Sequence, residues 1–521
     1  MLKFIIFVIF LDHANSYKIL GIFPFPLKSH FLTFDPLMIE LANRGHNVTV
    51  YNTFPKKYTI ANYNDVDISN CFGPSVAWDI NQMKEVGVNR RILVPALLQY
   101  VPKYAQIINC EPITSLWNSS EKYDLLIVEM CHNDIFMLFG KRFDVPIVAF
   151  HSHIPLPWHH EVMGLLNSPS YLPVEFSGYT SKMNFFQRLI NAWLHFEGNF
   201  YYEIGSRRVL DEIAPKIFNQ SVPKMKDLAN GVNLWLFNTH YSINWAMPLA
   251  PNVKEVGGLM IQKSKPLPKN IEKFINESKH GVVYFCMGSL LRGETFPPEK
   301  REAFLYAFSK IAQRVLWKWE GDVLPGKSDD IMISKWMPQR DILAHPNVKL
   351  FISHGGLLGM SEAVYEGVPI LGIPIVADQR TNIKSLEANG AGELLDYNNE
   401  ISNEVVLEKI QRLLNDPKYK ENAKVLSDRY RDRPMSPLDT AVYWTEYVIR
   451  HKGAPHLRTA AADMPWYQYL LLDVIAFVVA VLVAGLLIIY YATKFILKAI
   501  YGFIHGPQKG SSKLDEKVKC N

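Results

Sequence analysis

Four groups of residues carry side chains suited to chemistry. The first is Phe351-Ile352-Ser353-His354-Gly355-Gly356, an apolar run that ends in a histidine and two glycines. If a strand stops at Ser353 and a helix opens at His354-Gly355-Gly356, free backbone N–H groups stand at a helix N-terminus. They form an anion site, and glycine lets a phosphate approach closely. His354 adds a side-chain donor, and Gly359 and Glu362 follow on the same helix, three residues apart. The second group is Trp336-Met337-Pro338-Gln339, where the indole offers a face for a stacked base and Gln339 follows within reach of it. The third is His30, in Ser29-His30-Phe31, between a first strand and a first long helix. An imidazole with an ordinary pKa of about 6.5 suits proton abstraction from a hydroxyl near neutral pH. The fourth is the cluster His151, His153, His159 and His160. No downstream residue at ligand spacing completes a metal set, so the cluster reads as a pocket lining or a plain loop.

These groups need elements to hold them. Residues 17–23 read as a buried strand, 31–44 as a helix and 48–51 as a second strand. Runs at 123–128 and 146–150 continue the pattern, and runs at 282–287, 315–319, 350–353 and 370–373 repeat it, with helical segments between. Strands alternating with helices imply parallel sheets. Two such halves, joined near 248–258, predict an α/β protein of two Rossmann-like domains facing across a cleft, with ligands at the carboxyl ends of the strands.

Composition narrows the field. A chain of 521 residues is long for one domain. Hydrophobic residues at 48% and charged ones at 20% exclude long disordered or collagen-like stretches. The formal charge is +5. Beyond Thr493, Lys494, Lys498, Lys509, Lys513, Lys517 and Lys519 face only Asp515 and Glu516, which is 6 − 2 = +4. The remainder is nearly neutral, which excludes a nucleic-acid-binding surface. Five cysteines without CxxC or zinc-type spacing exclude a disulfide scaffold and give no metal motif.

The two ends look like targeting segments. Lys3, the apolar run 4–11 and Ala14-Asn15-Ser16 predict a secretory signal cut before Tyr17. Residues 474–492 carry no charge, with Trp466, Tyr467 and Tyr469 on one flank and Tyr490 and Tyr491 on the other. About 20 apolar residues cross a hydrocarbon core, and the lysine-rich tail places the C-terminus in the cytosol. The bulk of a single-pass protein is then luminal, where Asn118, Asn219 and Asn276 are glycosylation acceptors. Asn47, at the start of a strand, is expected to be skipped. Lys517-Val518-Lys519-Cys520-Asn521 resembles a lysine-based retrieval signal of the endoplasmic reticulum.

Taken together and in order, Trp336 to Gln339, Ile342-Leu343-Ala344-His345-Pro346, Phe351 to Gly356, Gly359, Glu362, Gly367-Val368-Pro369 and Ala377-Asp378-Gln379 resemble the signature of the UDP-glycosyltransferases. The likeness extends to residues 167–173, 281–289 and 433–439, and in style it is closest to insect members. It implies the two-domain GT-B fold with a C-terminal transmembrane helix. The divisions expected are a signal peptide at 1–16, an acceptor domain at 17–250, a UDP-sugar domain at 251–455, a juxtamembrane segment at 456–469, a transmembrane helix at 470–493 and a cytosolic tail at 494–521.

The resemblance also implies roles. His354, Gly355, Gly356 and Ser289 would hold the diphosphate, Glu362 the ribose, Trp336 and Gln339 the nucleoside, and Asp378 and Gln379 the sugar hydroxyls. Leu357-Leu358 stand where many members have a polar residue, so a side-chain contact there is lost while backbone donors remain. His30 matches the catalytic histidine, and its orienting acid is either Glu129, which aligns best, or Asp134, preferred slightly because its side chain keeps the aspartate of the family. The activity implied is inverting transfer of a hexose, glucose first and glucuronate next, to a small lipophilic acceptor in the endoplasmic reticulum, a detoxification chemistry. No cofactor and no metal are expected, and self-association is left open. The competing reading is a luminal binder of UDP-sugar or lipophile without catalysis, which an intact His30 beside a carboxylate disfavours.

Overall fold

The computed structural model describes residues 16–72, 101–165, 167–289 and 291–506. The expected signal segment apart from Ser16, and the lysine motif at the end of the chain, lie outside the described residues. Two compact units divide between Ala462 and Asp463.

In the first unit, β1 (Lys18–Phe23), β2 (Asn47–Asn52), β3 (Tyr63–Asp67), β4 (Leu125–Glu129), β5 (Ile147–His151), β6 (Leu234–Phe237) and β7 (Val253–Glu255) form one sheet. Its order is β3-β2-β1-β4-β5-β6-β7, parallel throughout. A second sheet holds β8 (Val282–Cys286), β9 (Arg314–Lys318), β10 (Ile331–Ser334), β11 (Val348–Ser353), β12 (Ile370–Gly372) and β13 (Gly392–Leu394). Its order is β10-β9-β8-β11-β12-β13, also parallel. The central strands β4, β5 and β8 are buried along their whole length, as strands covered by helices on both faces must be.

Both sheets reverse their winding between two central neighbours, β1 and β4 in the first and β8 and β11 in the second. At such a point the connections leave in opposite directions and open a crevice at the carboxyl ends of the strands. Glu129 ends β4, and the loops and helices that follow the other three strands carry His30, Ser289 and His354, so the topology itself gathers the residues singled out above.

Three boundaries differ from expectation. β7 lies inside the stretch expected to join the halves and completes the first sheet, so the division at 250 moves beyond Glu255. The helix Pro437–Arg450 also returns to the first half. Ala441, Val442 and Val448, with Ala454 and Leu457, share one apolar cluster with Phe31, Phe34, Leu37 and Phe150. The Arg433 to Asp439 motif starts this helix: Ser436 caps it by accepting from the Asp439 N–H at 3.0 Å, and Pro437 fills the first turn, where no N–H is needed. Residues up to Ala462 pack with the main body, which shortens the expected juxtamembrane segment. Cys71 and Cys110 form a disulfide, with 5.7 Å between their Cα atoms.

The second unit contains the short helix Trp466–Tyr469 and a 34-residue helix, Leu472–His505, with apolar side chains exposed all round it. Among the described residues it is the one helix long and apolar enough to cross a membrane. It runs past the expected end at 493, through Lys494 and Lys498.

Candidate active site

His30 is the third residue of the helix Lys28–Asn43, which begins before the expected 31 and carries the imidazole in its first turn, at the carboxyl edge of β1. The residue is 8% exposed. Nδ1 lies 2.7 Å from Oε1 of Glu129, the last residue of β4, and 3.0 Å from the Ser152 hydroxyl. Burial, reinforced by the charge of His153, holds His30 well below the ordinary imidazole value. Burial pushes Glu129 up to about 8. The two therefore sit together as a tightly coupled pair, with the Nε2 face of His30 turned away from Glu129.

Asp134 does not join this pair. It is fully buried, where its Oδ2 accepts from Arg207 Nε at 3.2 Å and its Oδ1 from the Tyr202 hydroxyl at 2.5 Å. The preference for Asp134 as the orienting acid is thus corrected in favour of Glu129. Glu129 ends β4, beside β1, whereas Asp134 opens the following 3-10 turn and faces an arginine. The shorter family side chain was the wrong guide.

Of the histidine cluster, only His153 reaches the base. Its Nε2 lies 3.5 Å from Nε2 of His30. On its other side, Nδ1 lies 3.2 Å from Glu175 Oε1 and 3.6 Å from Asp378 Oδ2. Burial alone would lower His153, but the two carboxylates outweigh it and raise the imidazole well above its ordinary value. His159 packs on His151, Trp235 and Phe237, and His160 donates from Nδ1 to the Leu156 carbonyl at 3.1 Å and faces His195, so both imidazoles are held in the interior. His153, Glu175 and Asp378 bring one ligand atom each within 4.8 Å of one another, a set able to hold a metal ion. Glu175 and Asp378, distant from the cluster in sequence, are brought to it by the fold.

The second half supplies the other face. Gly355 has φ +84, and a Cβ there would meet Ile383 Cγ1 at 2.6 Å; Gly288 has φ +83, and a Cβ would meet His354 Cε1 at 2.6 Å. Glycine at both positions lets the loops after β8 and β11 close around His354. Gly356 caps the helix Leu357–Glu366, whose N–H groups face the crevice, and Ser289 is exposed on the neighbouring loop. Burial lowers His354 to about 4, so at neutral pH it is an uncharged donor until an anion raises it.

Gln339 Nε2 donates to Glu362 Oε2 at 2.7 Å, and Gly359, one turn before Glu362, leaves room for that amide. Trp336 is 62% exposed, with Lys28 Nζ 5.2 Å from its ring centre. An indole left in solvent beside an anion cradle is an open stacking surface. Asp378 follows Ala377, a non-glycine residue held at φ +58, and accepts from Asn382 Nδ2 at 2.5 Å. Burial works against ionisation of Asp378, but His153 and Asn382 hold it below the usual carboxylate range. Gln379 spends its amide oxygen on the Ile375 and Val376 N–H groups, at 2.8 and 3.0 Å, leaving only its amide nitrogen for a ligand.

The structure thus brings His30 and Glu129 together, groups Ser289, His354, Gly355 and Gly356, and joins Gln339, Gly359 and Glu362. Glu175 escaped sequence reasoning. It lies two residues beyond the 167–173 segment, and the one signal was that segment's own likeness to the family.

The family model described as UDP-glucoronosyl and UDP-glucosyl transferase matches residues 104–507. UDP-glycosyltransferase UGT5 of Dactylopius coccus is 56% identical over 522 residues, covering 98% of each chain. UDP-glucosyltransferase 2 of the same insect is 38% identical over 99% of this chain and 98% of its own. Human UDP-glucuronosyltransferase 2B7 is 37% identical over 72% of this chain and 70% of its own. Among solved structures, a UDP-glucose: anthocyanidin 3-O-glucosyltransferase in complex with UDP aligns with TM-score 0.56 at 14% identity, over 84% of this chain and 99% of that one. The calicheamicin glycosyltransferase CalG4 aligns with TM-score 0.56 at 17% identity, over 84% and 99%. These two show the shared two-sheet GT-B architecture.

Proposed function

Because the chain belongs to the UDP-glycosyltransferase family, we propose that it transfers glucose from UDP-glucose, with inversion, to a hydroxyl of a small lipophilic acceptor. The observation that carries this reading is the buried His30–Glu129 pair set against an anion cradle built on His354 and Gly356. His30 Nε2 takes the acceptor proton as the oxygen attacks the anomeric carbon. The bond from that carbon to the diphosphate breaks, and its electron pair leaves with UDP. Backbone N–H groups, the Leu357–Glu366 helix dipole and His354 stabilise the departing diphosphate. Trp336 stacks the base, Glu362 takes the ribose hydroxyls, and Asp378 and Gln379 take the sugar hydroxyls. No metal or other cofactor enters these steps. Glucose is preferred over glucuronate on the name of the nearly full-length insect relative. The deciding experiment offers several UDP-sugars, with phenolic, steroid and pigment acceptors, to membranes bearing the protein. Transfer from UDP-glucose is expected, and binding of UDP without any transfer would leave the non-catalytic reading.

Trp336→Ala and His354→Ala should both weaken the donor, in different ways. Stacking of one base on an aromatic ring is worth about 1–3 kcal/mol in nucleic-acid sites, so Trp336→Ala should raise the Kd for UDP roughly tenfold or more. His354→Ala removes a phosphate donor whose strength grows as the diphosphate gains charge, and should lower kcat as well as affinity. UDP titration followed by steady-state kinetics checks both; unchanged UDP affinity in either variant contradicts that residue's role.

We further assign the protein to the endoplasmic reticulum membrane, as a single-pass chain with its catalytic body in the lumen. The 34-residue apolar helix, the Cys71–Cys110 disulfide and the exposure of Asn118, Asn219 and Asn276 support this. Glycosidase should shift its mobility, and alkaline carbonate should leave it in the membrane. A C-terminal tag should be digested in intact microsomes, and protection of that tag would reverse the orientation.

A further inference from the structure

The helix Phe185–Tyr202 is built inside out. Asn184 caps it by accepting from the Gln187 N–H at 3.0 Å, and its buried side is mostly polar or small. There Asn191 accepts from the Val174 N–H at 2.8 Å and donates to the Leu172 carbonyl at 2.8 Å, and His195 Nε2 donates to the same carbonyl at 2.9 Å. Gly198 and Tyr202 pack this side on the helix Pro157–Val162, the Tyr202 ring stacked on Trp158 with centres 4.4 Å apart. The opposite side carries the apolar residues. Phe185, Phe186, Leu189, Trp193, Phe196 and Phe200 stand outward, with Phe186 70% and Trp193 59% exposed. At about 100° per residue they cover one continuous strip roughly 100° wide. Arg188 and Glu197 flank it.

We propose that this strip rests in the lipid surface, the helix lying in the plane of the bilayer that Leu472–His505 crosses. The inference rests on the membrane-anchored reading above. Aromatic and aliphatic side chains aligned in water on one helix face mark an interaction surface. Connectivity commits this one to lipid. The helix Pro157–Val162, on which the reverse side of the strip packs, runs into a turn at Gly164, and that turn holds the last residues of the body. The Thr459 hydroxyl donates to the Gly164 carbonyl at 3.4 Å, and a Cβ at Gly164 would meet the Ala462 backbone nitrogen at 2.8 Å. The chain leaves the body at Ala462, and the apolar span opens ten residues later, at Leu472. A segment of that length reaches at most about 35 Å. The strip therefore stands one helix away from the point where the chain departs for the bilayer.

The residue types fit that occupant. Helices that lie in the interface turn Trp, Phe and Leu toward the acyl boundary, about 5–10 Å deep, and keep polar or basic residues on the other side. Here the other side is fastened to the body, so seating the strip seats the body with it. Lys182 and Arg188 stand exposed at its N-terminal end, placed to meet headgroup phosphates. The consequence is orientation. A span alone leaves the body free to tilt, whereas a second contact fixes which side meets the lipid. That side belongs to the first half, which carries His30.

The test places the full-length protein in phosphatidylcholine vesicles that contain a phospholipid with a photoactivatable diazirine near the carbonyl end of one acyl chain. After irradiation and digestion, mass spectrometry locates the label. Residues 185–204 should be labelled together with 472–505. The double variant Trp193→Glu, Phe196→Glu should lose the label at 185–204 and keep it at 472–505. Its affinity for UDP should stay that of the wild type, which shows that the body is folded. Label confined to 472–505 in the wild type overturns the inference, and is the result expected if a second copy of the chain covers the strip. Label at 185–204 that survives both substitutions at wild-type strength overturns it as well. Absence of label from 472–505 would instead overturn the anchoring reading.

Discussion

Replacing His30 by alanine should lower transfer roughly 10²–10⁴-fold, the usual contribution of a placed general base, while UDP binding stays nearly intact. The separation follows from the architecture. His30 rides on a helix of the first sheet, whereas the cradle and the stacking indole are built on the second. Removing the imidazole leaves His354, Gly355, Gly356 and Trp336 where they are. The loss should depend on the acceptor. Nitrophenols, which supply an oxyanion unaided near neutral pH, should suffer least, and aliphatic alcohols most. Parallel UDP titrations and transfer assays across an acceptor series check this. Full activity of His30→Ala toward weakly acidic hydroxyls would refute the mechanism whatever the second half binds.

Glu129→Gln and Asp134→Asn should fail in different ways. Glu129 contacts His30 directly, so its amide should lose nearly as much transfer as His30→Ala, and the double variant should be little worse than either. Asp134 holds the buried Arg207 instead. Breaking a buried pair costs about 3–5 kcal/mol when the remaining charge is left uncompensated, and Arg207 keeps Glu203 as a second partner, so the loss should fall below that range. Asp134→Asn should therefore lower the melting temperature and the yield, with kcat of the folded fraction close to wild type. Thermal denaturation beside kinetics separates the two. A normal melting temperature with collapsed kcat in Asp134→Asn would return the orienting role to Asp134.

Much of this was legible in the chain because local pattern and topology agree. The donor elements lie within one stretch of about sixty residues, where glycines, a strand end and a helix start follow directly from residue type. Strands β4, β5 and β8 read as apolar runs because both faces are covered. Other features depend on contacts distant in sequence. β7 is three residues long and acquires its identity only by pairing with β6. The choice between Glu129 and Asp134 turned on which loop an arginine, Arg207, reaches. Glu175 lies within no pattern, and its closeness to His153 and Asp378 exists only once the two sheets are assembled. The return of Pro437–Arg450 was equally hidden, since an amphipathic helix does not declare which sheet it covers.

That return has a mechanical consequence. The chain passes from the first half to the second after Glu255 and comes back between Arg431 and Pro437, so the halves are fastened at two places rather than one. A single tether permits swivelling and twisting, whereas two behave like the pins of a door. Any motion between the sheets would then be restricted to swinging about the line through both pins, a swing that would change the width of the crevice more than the alignment of its two faces.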